Sequence, residues 1–203
     1  MTHQMRKTLY TFLTGAAVAL TMTAPVAGNQ QMEKAYKVVR RLPAEQNEPV
    51  TITAIAVKGQ KITLNENFLA SEDWLSGLTI TLKNSSNQRI LLTSVQVQFP
   101  WHEGDKNAVA VDDISYGNPA LLAKPAEANA SSSILAPGQS VDVSVSSGDL
   151  ARIKSLLSAA GYKDNIDLVA IRIGRTIFAD DTMWYAGTHL RRDASTPSGW
   201  VKY

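Results

Sequence analysis

The run Trp101-His102-Glu103-Gly104-Asp105 holds the densest set of reactive side chains in the chain. A histidine titrates near neutral pH, and the carboxylates beside it could make it a general base or a weak metal ligand. Zinc takes three or more protein ligands, and His189 is the only other histidine beyond His3. His102, His189 and one carboxylate would suffice by count, but no ligand spacing supports the set. The plainer reading is a polar loop after a strand that Pro100 ends. Asp112–Asp113 and Asp180–Asp181 could offer oxygens to calcium, yet neither lies in an acidic loop closed by glutamate. Paired aspartates are ordinary turn residues, because the carboxylate accepts hydrogen bonds from nearby backbone N–H groups. That is the role expected of both doublets, so no metal and no cofactor are expected.

Other chemistries find less support. There is no G-x-S-x-G elbow for a serine nucleophile and no glycine-rich loop to cradle phosphate. The chain has no cysteine, which excludes thiol nucleophiles, cysteine zinc sites and disulfides. Trp74, Trp101, Trp184, Tyr185 and Trp200 could stack on sugars or anchor a protein partner. In a small β domain such rings also serve as core cover. Trp101, His102, Trp184 and Tyr185 are the expected ligand-binding residues, and no catalytic residue is assigned. The leading expectation is a non-catalytic binding or interaction module for a protein or glycan. The alternative is a small hydrolase or metal-dependent enzyme centred on His102.

The elements that would position these residues read as mainly β. Leu78-Thr79-Ile80-Thr81-Leu82 alternates apolar and polar residues, and Val95, Val97 and Phe99 do so within Ile90 to Phe99. The turn cluster Asn84-Ser85-Ser86-Asn87 between them predicts a β-hairpin. Further strands are expected at Ala35–Val39, Val50–Val57, Lys61–Leu64, Val141–Val145 and Ile166–Ile177, and a turn at Asp180–Asp181 leads to Met183-Trp184-Tyr185. Within Val50–Val57, alternation puts Ile52 and Ala54 on one face and Thr53, Ile55 and Val57 on the other. Residues 103–140 read as a long connector with one brief strand signal at Val109-Ala110-Val111. Leu150, Ile153, Leu156, Leu157 and Ala160 recur at helical spacing, so one helix is expected at about 148–160, capped by Ser147 or Asp149 and stopped by Gly161. An irregular tail is expected to dock through Trp200.

The chain of 203 residues is 44% apolar and 19% charged, which suits a folded domain rather than a disordered chain. Arg6 and Lys7 are the only charged residues before Gly28. Setting them aside leaves 18 basic residues against 18 acidic ones, so no basic excess favours nucleic acid. The same pair precedes the uncharged stretch from Thr8 to Ala27 and small residues at Pro25–Gly28. That order is the pattern of a secretory signal peptide at 1–28, and cutting after Gly28 places Val26 at the −3 position. The expectation is a single β domain at 29–203, exported to the periplasm or outside the cell, with no membrane span after cleavage.

A resemblance supports the same architecture. LTITLKNSSNQRILLTSVQVQF, followed by ILAPGQSVDVSV, resembles the immunoglobulin-like sandwich domains of exported bacterial proteins, such as the FxLYD type. The matching residues are Lys83 and Asn84 at a strand end, and Leu135, Ala136, Pro137, Gly138 and Gln139 at a turn. The Phe-x-Leu-Tyr-Asp signature itself does not occur. The resemblance implies an immunoglobulin-like β-sandwich, here with one inserted helix, and carries no activity with it.

Overall fold

The computed structural model describes residues 34–100, 108–122, 134–162, 165–196 and 199–203. The described chain is mainly β, with two open sheets of eight and four strands and one α-helix. No described helix is long and apolar enough to cross a membrane.

The eight-stranded sheet is organised on β9 (Leu168–Phe178). Along one edge β9 pairs antiparallel with β6 (Ile90–Pro100), which in turn pairs with β7 (Ala108–Gly117). The other edge is shared. Its first half pairs in parallel with β1 (Ala35–Arg41), and β1 pairs with β4 (Asn67–Ala70). Its second half pairs with β10 (Thr182–Tyr185), followed by β11 (Thr188–Arg192) and β12 (Trp200–Lys202). The Asp180–Asp181 turn joins β9 to β10 as expected, and Asp180 accepts hydrogen bonds from the Thr182 N–H and hydroxyl.

The smaller sheet runs β3 (Gln60–Lys61), β2 (Val50–Val57), β5 (Leu78–Asn84), β8 (Ser140–Ser144). Leu78, Ile80 and Leu82 of β5 share one apolar cluster with Val95, Val97 and Phe99 of β6 and Ile171 and Ile173 of β9. The expected hairpin between β5 and β6 is therefore corrected, because the two strands belong to different sheets. Each strand carries a buried apolar row, and crossing between sheets lets both rows meet the same core. The buried Asn84 side chain holds the corner by donating to the carbonyls of Gln88 and Leu135.

The face assignment in β2 is also corrected. A register shift between Ile52 and Ala54 inserts Thr53 as an extra residue. A bulge of this kind inverts the alternation. Ile52, Ile55 and Val57 then all oppose the buried β5 residues Leu82, Ile80 and Leu78. Helix α1 (Ser147–Ala159) buries Ile153 and Leu157. Its cap is Ser146 rather than Ser147 or Asp149. The Ser146 hydroxyl accepts the Asp149 N–H while the Asp149 carboxylate accepts the Ser146 N–H, a reciprocal capping box. Gly161, with φ of +78°, ends the helix where a side chain would be strained.

Candidate functional site

The connector expected at 103–140 contains the ten-residue strand β7, and this places Asp112 and Asp113 in mid-strand rather than in a turn. Successive strand residues face opposite sides of a sheet. Asp112 opposes the core residue Val97 and turns toward α1, whereas Asp113 opposes Gln96 on the outer face. β7 pairs only with β6, so both carboxylates lie at a sheet edge.

Two arginines meet them. The Arg152 Nε, one turn into α1, donates to Asp112 Oδ1 at 2.8 Å. Its Nη2 donates to Asp149 Oδ1 at 2.7 Å and to the Asp113 carbonyl at 3.4 Å. One guanidinium thus ties the helix start to the edge strand and covers an edge carbonyl, which protects that edge from pairing with another chain. On the outer face, Arg175 Nη2 donates to Asp113 Oδ2 at 3.1 Å, and its guanidinium carbon lies 5.6 Å from the Tyr185 ring centroid. That distance is within reach of a cation–π contact.

Gly174 lets this network close. A Cβ there would lie 2.6 Å from Ser94 Oγ and 3.2 Å from Asp113 Oδ1. Ser94 is buried, and its hydroxyl accepts the Arg175 N–H at 3.1 Å. Only a residue without a side chain allows the Ser94 hydroxyl and the Asp113 carboxylate to lie against β9 in this way.

Asp112, Asp113, Ser115, Leu122, Arg152 and Arg175 line a cleft of about 570 Å³, within the range of small-ligand sites. Asp112 Oδ2, Asp113 Oδ1 and Arg175 Nε are buried and have no hydrogen-bond partner among the described residues. Burial pushes the Asp113 carboxyl above its ordinary range, against the pull of Arg175, and the Asp112 charge adds to the rise. Burial also acts upward on Asp149, but hydrogen bonds from Ser146 and Arg152 outweigh it and hold that carboxyl low. Arg152 is held firmly charged by its bonds to Asp112 and Asp149.

The arrangement can hold a polar ligand by charge and hydrogen bonds. Among the described residues no group of three or more histidine and carboxylate side chains is set to grip a metal ion. His189 packs edge-to-face with Tyr203, with ring centroids 6.4 Å apart, and does not line the cleft.

Of the residues expected to bind a ligand, Trp101 and His102 lie outside the described residues, as do Glu103 and Asp105. Trp184 is wholly buried, and its Nε1 donates to the Gln46 carbonyl at 3.0 Å. Its neighbour Tyr185 faces the other way, is exposed, and meets the cleft through Arg175. Trp184 and Tyr185 therefore form no common surface. Trp74 is buried with its Nε1 donating to the Ile166 carbonyl, and Trp200 lies under Arg192 at 4.1 Å. Ser94, Arg152 and Arg175 were not expected as site residues from the sequence, and Asp149 was expected only as a helix cap. One signal for them exists: a glycine inside the apolar strand Ile171-Arg172-Ile173-Gly174-Arg175 marks a close approach. Compared with known proteins, the chain matches no family model, no curated protein and no solved structure.

Proposed function

We propose that this chain is an exported, non-catalytic binding module that seats a polar group of its ligand or partner in the cleft at β7. The observation that carries the reading is a cleft of ligand size whose buried charged groups keep hydrogen-bonding capacity unused among the described residues. Buried polar atoms without partners cost stability, and a bound polar group is one way to supply those partners. The scaffold in this reading is an immunoglobulin-like sandwich, supported by the two sheets around one core and by the buried Asn84 corner. Export to the periplasm or beyond the cell is supported by the basic, apolar and small-residue order of 1–28. A protein or a glycan is the expected ligand class.

The test is affinity capture from the producing cell's envelope and medium. Wild type is compared with a variant carrying Asp113→Asn and Arg175→Gln. The wild type is expected to retain a ligand or partner that the variant loses. Equal retention by both proteins would place recognition elsewhere and end this reading.

A further inference from the structure

We infer that the cleft at β7 recognises a primary ammonium group carried on an aliphatic stem. The inference rests on the cleft being the ligand seat and adds the chemistry of what it holds.

The charge inventory gives the sign. Among the described residues, the ionisable groups lining the cleft are Asp112, Asp113, Asp149, Arg152 and Arg175, so carboxylates outnumber guanidiniums by one. The unused capacity agrees. Among the described residues, two carboxylate oxygens, Asp112 Oδ2 and Asp113 Oδ1, lack donors, against one unused donor at Arg175 Nε. Asp112 is only 9% exposed, so its free oxygen is shut in beside the cleft rather than bathed in solvent.

The resident arginines do not serve these two oxygens. Arg152 is spread over Asp112 Oδ1, Asp149 and the Asp113 carbonyl, and Arg175 is fixed between Asp113 Oδ2 and Tyr185. Both are planar forks already committed in direction. An ammonium is a compact charge with three donors, and it can serve acceptors that do not share a plane. An anion would add to the carboxylate excess. A neutral hydroxyl would satisfy the acceptors but leave that excess in place. The lining also has an apolar part, formed by Leu92, Ile114, Pro119 and Leu122. Methylenes pack on such a surface while the charged end reaches polar groups. A free diamine and a lysine side chain of a partner protein both present this chemistry.

The test is a titration of the full exported chain, labelled with ¹⁵N and followed by amide shifts. The probes are 1,4-diaminobutane, N-acetyl-lysine methylamide and, as the uncharged match, N-acetyl-norleucine methylamide. Both ammonium probes are expected to give saturable shifts at Asp112, Asp113 and Arg152, weakened by added salt, with no response to norleucine. Binding of the diamine alone assigns the seat to a small amine. Binding of both admits a lysine of a partner protein. Asp113→Asn is expected to weaken binding by roughly tenfold. Asp149→Asn, at the helix start, removes a carboxylate without touching the sheet and is expected to weaken it less. Should Asp113→Asn fail to fold, this second variant still decides. Equal shifts with the norleucine probe, no ammonium binding, or no change in either variant would overturn the inference. If the Asp113→Asn and Arg175→Gln variant loses a captured partner while no amine binds, the seat stands and the ammonium assignment falls.

Discussion

The space between the sheets and the edge at β7 treat polar groups in opposite ways. Several polar groups that enter the interior are matched there. The Trp74 Nε1 donates to Ile166 at 2.7 Å, Trp184 Nε1 donates to Gln46 at 3.0 Å, and the Thr93 and Thr176 hydroxyls bond each other at 3.0 Å. Lys37, inside β1, extends to the exposed Asp167 at the rim. At β7, two carboxylate oxygens and a guanidinium N–H are buried without partners among the described residues. In a low-dielectric interior such atoms are costly, while matched ones rigidify the fold. The interior therefore supplies stability, and the edge keeps hydrogen-bonding capacity that folding alone does not use.

Breaking the interior should cost the most. Trp184→Ala removes a wholly buried ring and leaves the Gln46 carbonyl without its donor, and is expected to lose about 3–5 kcal/mol of stability. A denaturant midpoint measures it. Ligand retention per folded molecule should stay at the wild-type level, since Trp184 faces away from the cleft. A parallel loss of retention would mean that the two regions are not separate.

Gly174→Ala attacks the junction of the two regions. The added methyl would meet Ser94 Oγ at 2.6 Å, so the hydroxyl must turn away from the Arg175 N–H and Asp113 must shift. The expected cost is about 1–3 kcal/mol, accompanied by loss of whatever the cleft holds. Stability and binding should fall together here, unlike in Trp184→Ala. Retained binding at reduced stability would show that Asp113 need not lie against β9. Ser146→Ala is expected to cost about 1 kcal/mol, read by the same denaturant midpoint, because it removes the hydroxyl half of the α1 capping box. Weaker binding should accompany it only as far as Asp149 and Arg152 shift with the helix start. An unchanged midpoint would show that the Asp149 carboxylate alone suffices as a cap.

Strand existence was legible in the sequence because it depends on local alternation. Leu78 to Leu82 and Ile90 to Phe99 form as read, and so does the helix around Ile153 and Leu157. Strand partnership was not legible. The same alternation in β5 and β6 fits a hairpin or an arch between sheets, and only the tertiary core selects the arch. The bulge at Thr53 was hidden for a related reason, since one extra residue leaves composition untouched while inverting the faces. The cleft was the least legible part. Its members come from β6, β7, β8, β9, α1 and the segment after β7, and Asp112–Asp113 carries the composition of a turn while lying in a strand. Tyr185 was legible as an aromatic near the chain's end, but its relation to the cleft depends on Arg175, its partner across the β9–β10 pairing.

The finest contrast lies within the charged network itself, between Asp113 and Asp149. Burial raises the Asp113 carboxyl, so the folded chain holds that proton more tightly than the unfolded chain does. The stability this group contributes is present at low pH and is lost as pH rises from the ordinary aspartate range through its raised value. Asp149 is opposite. Burial works against it, yet the Ser146 and Arg152 hydrogen bonds prevail and lower it. Its contribution is present above the ordinary range and is lost as pH falls through its lowered value. The stability difference between wild type and Asp113→Asn should therefore shrink as pH rises, and that between wild type and Asp149→Asn should grow. Urea midpoints across the acidic range measure both slopes, and carboxyl-carbon NMR should show Asp149 titrating first from the acid side. Slopes of the same sign would mean that Arg175 rather than burial governs Asp113. The edge would then be a completed ion pair like Arg41–Glu48, whose Nη2 reaches both carboxylate oxygens at 2.6 and 2.7 Å, and its spare capacity for a ligand would be gone.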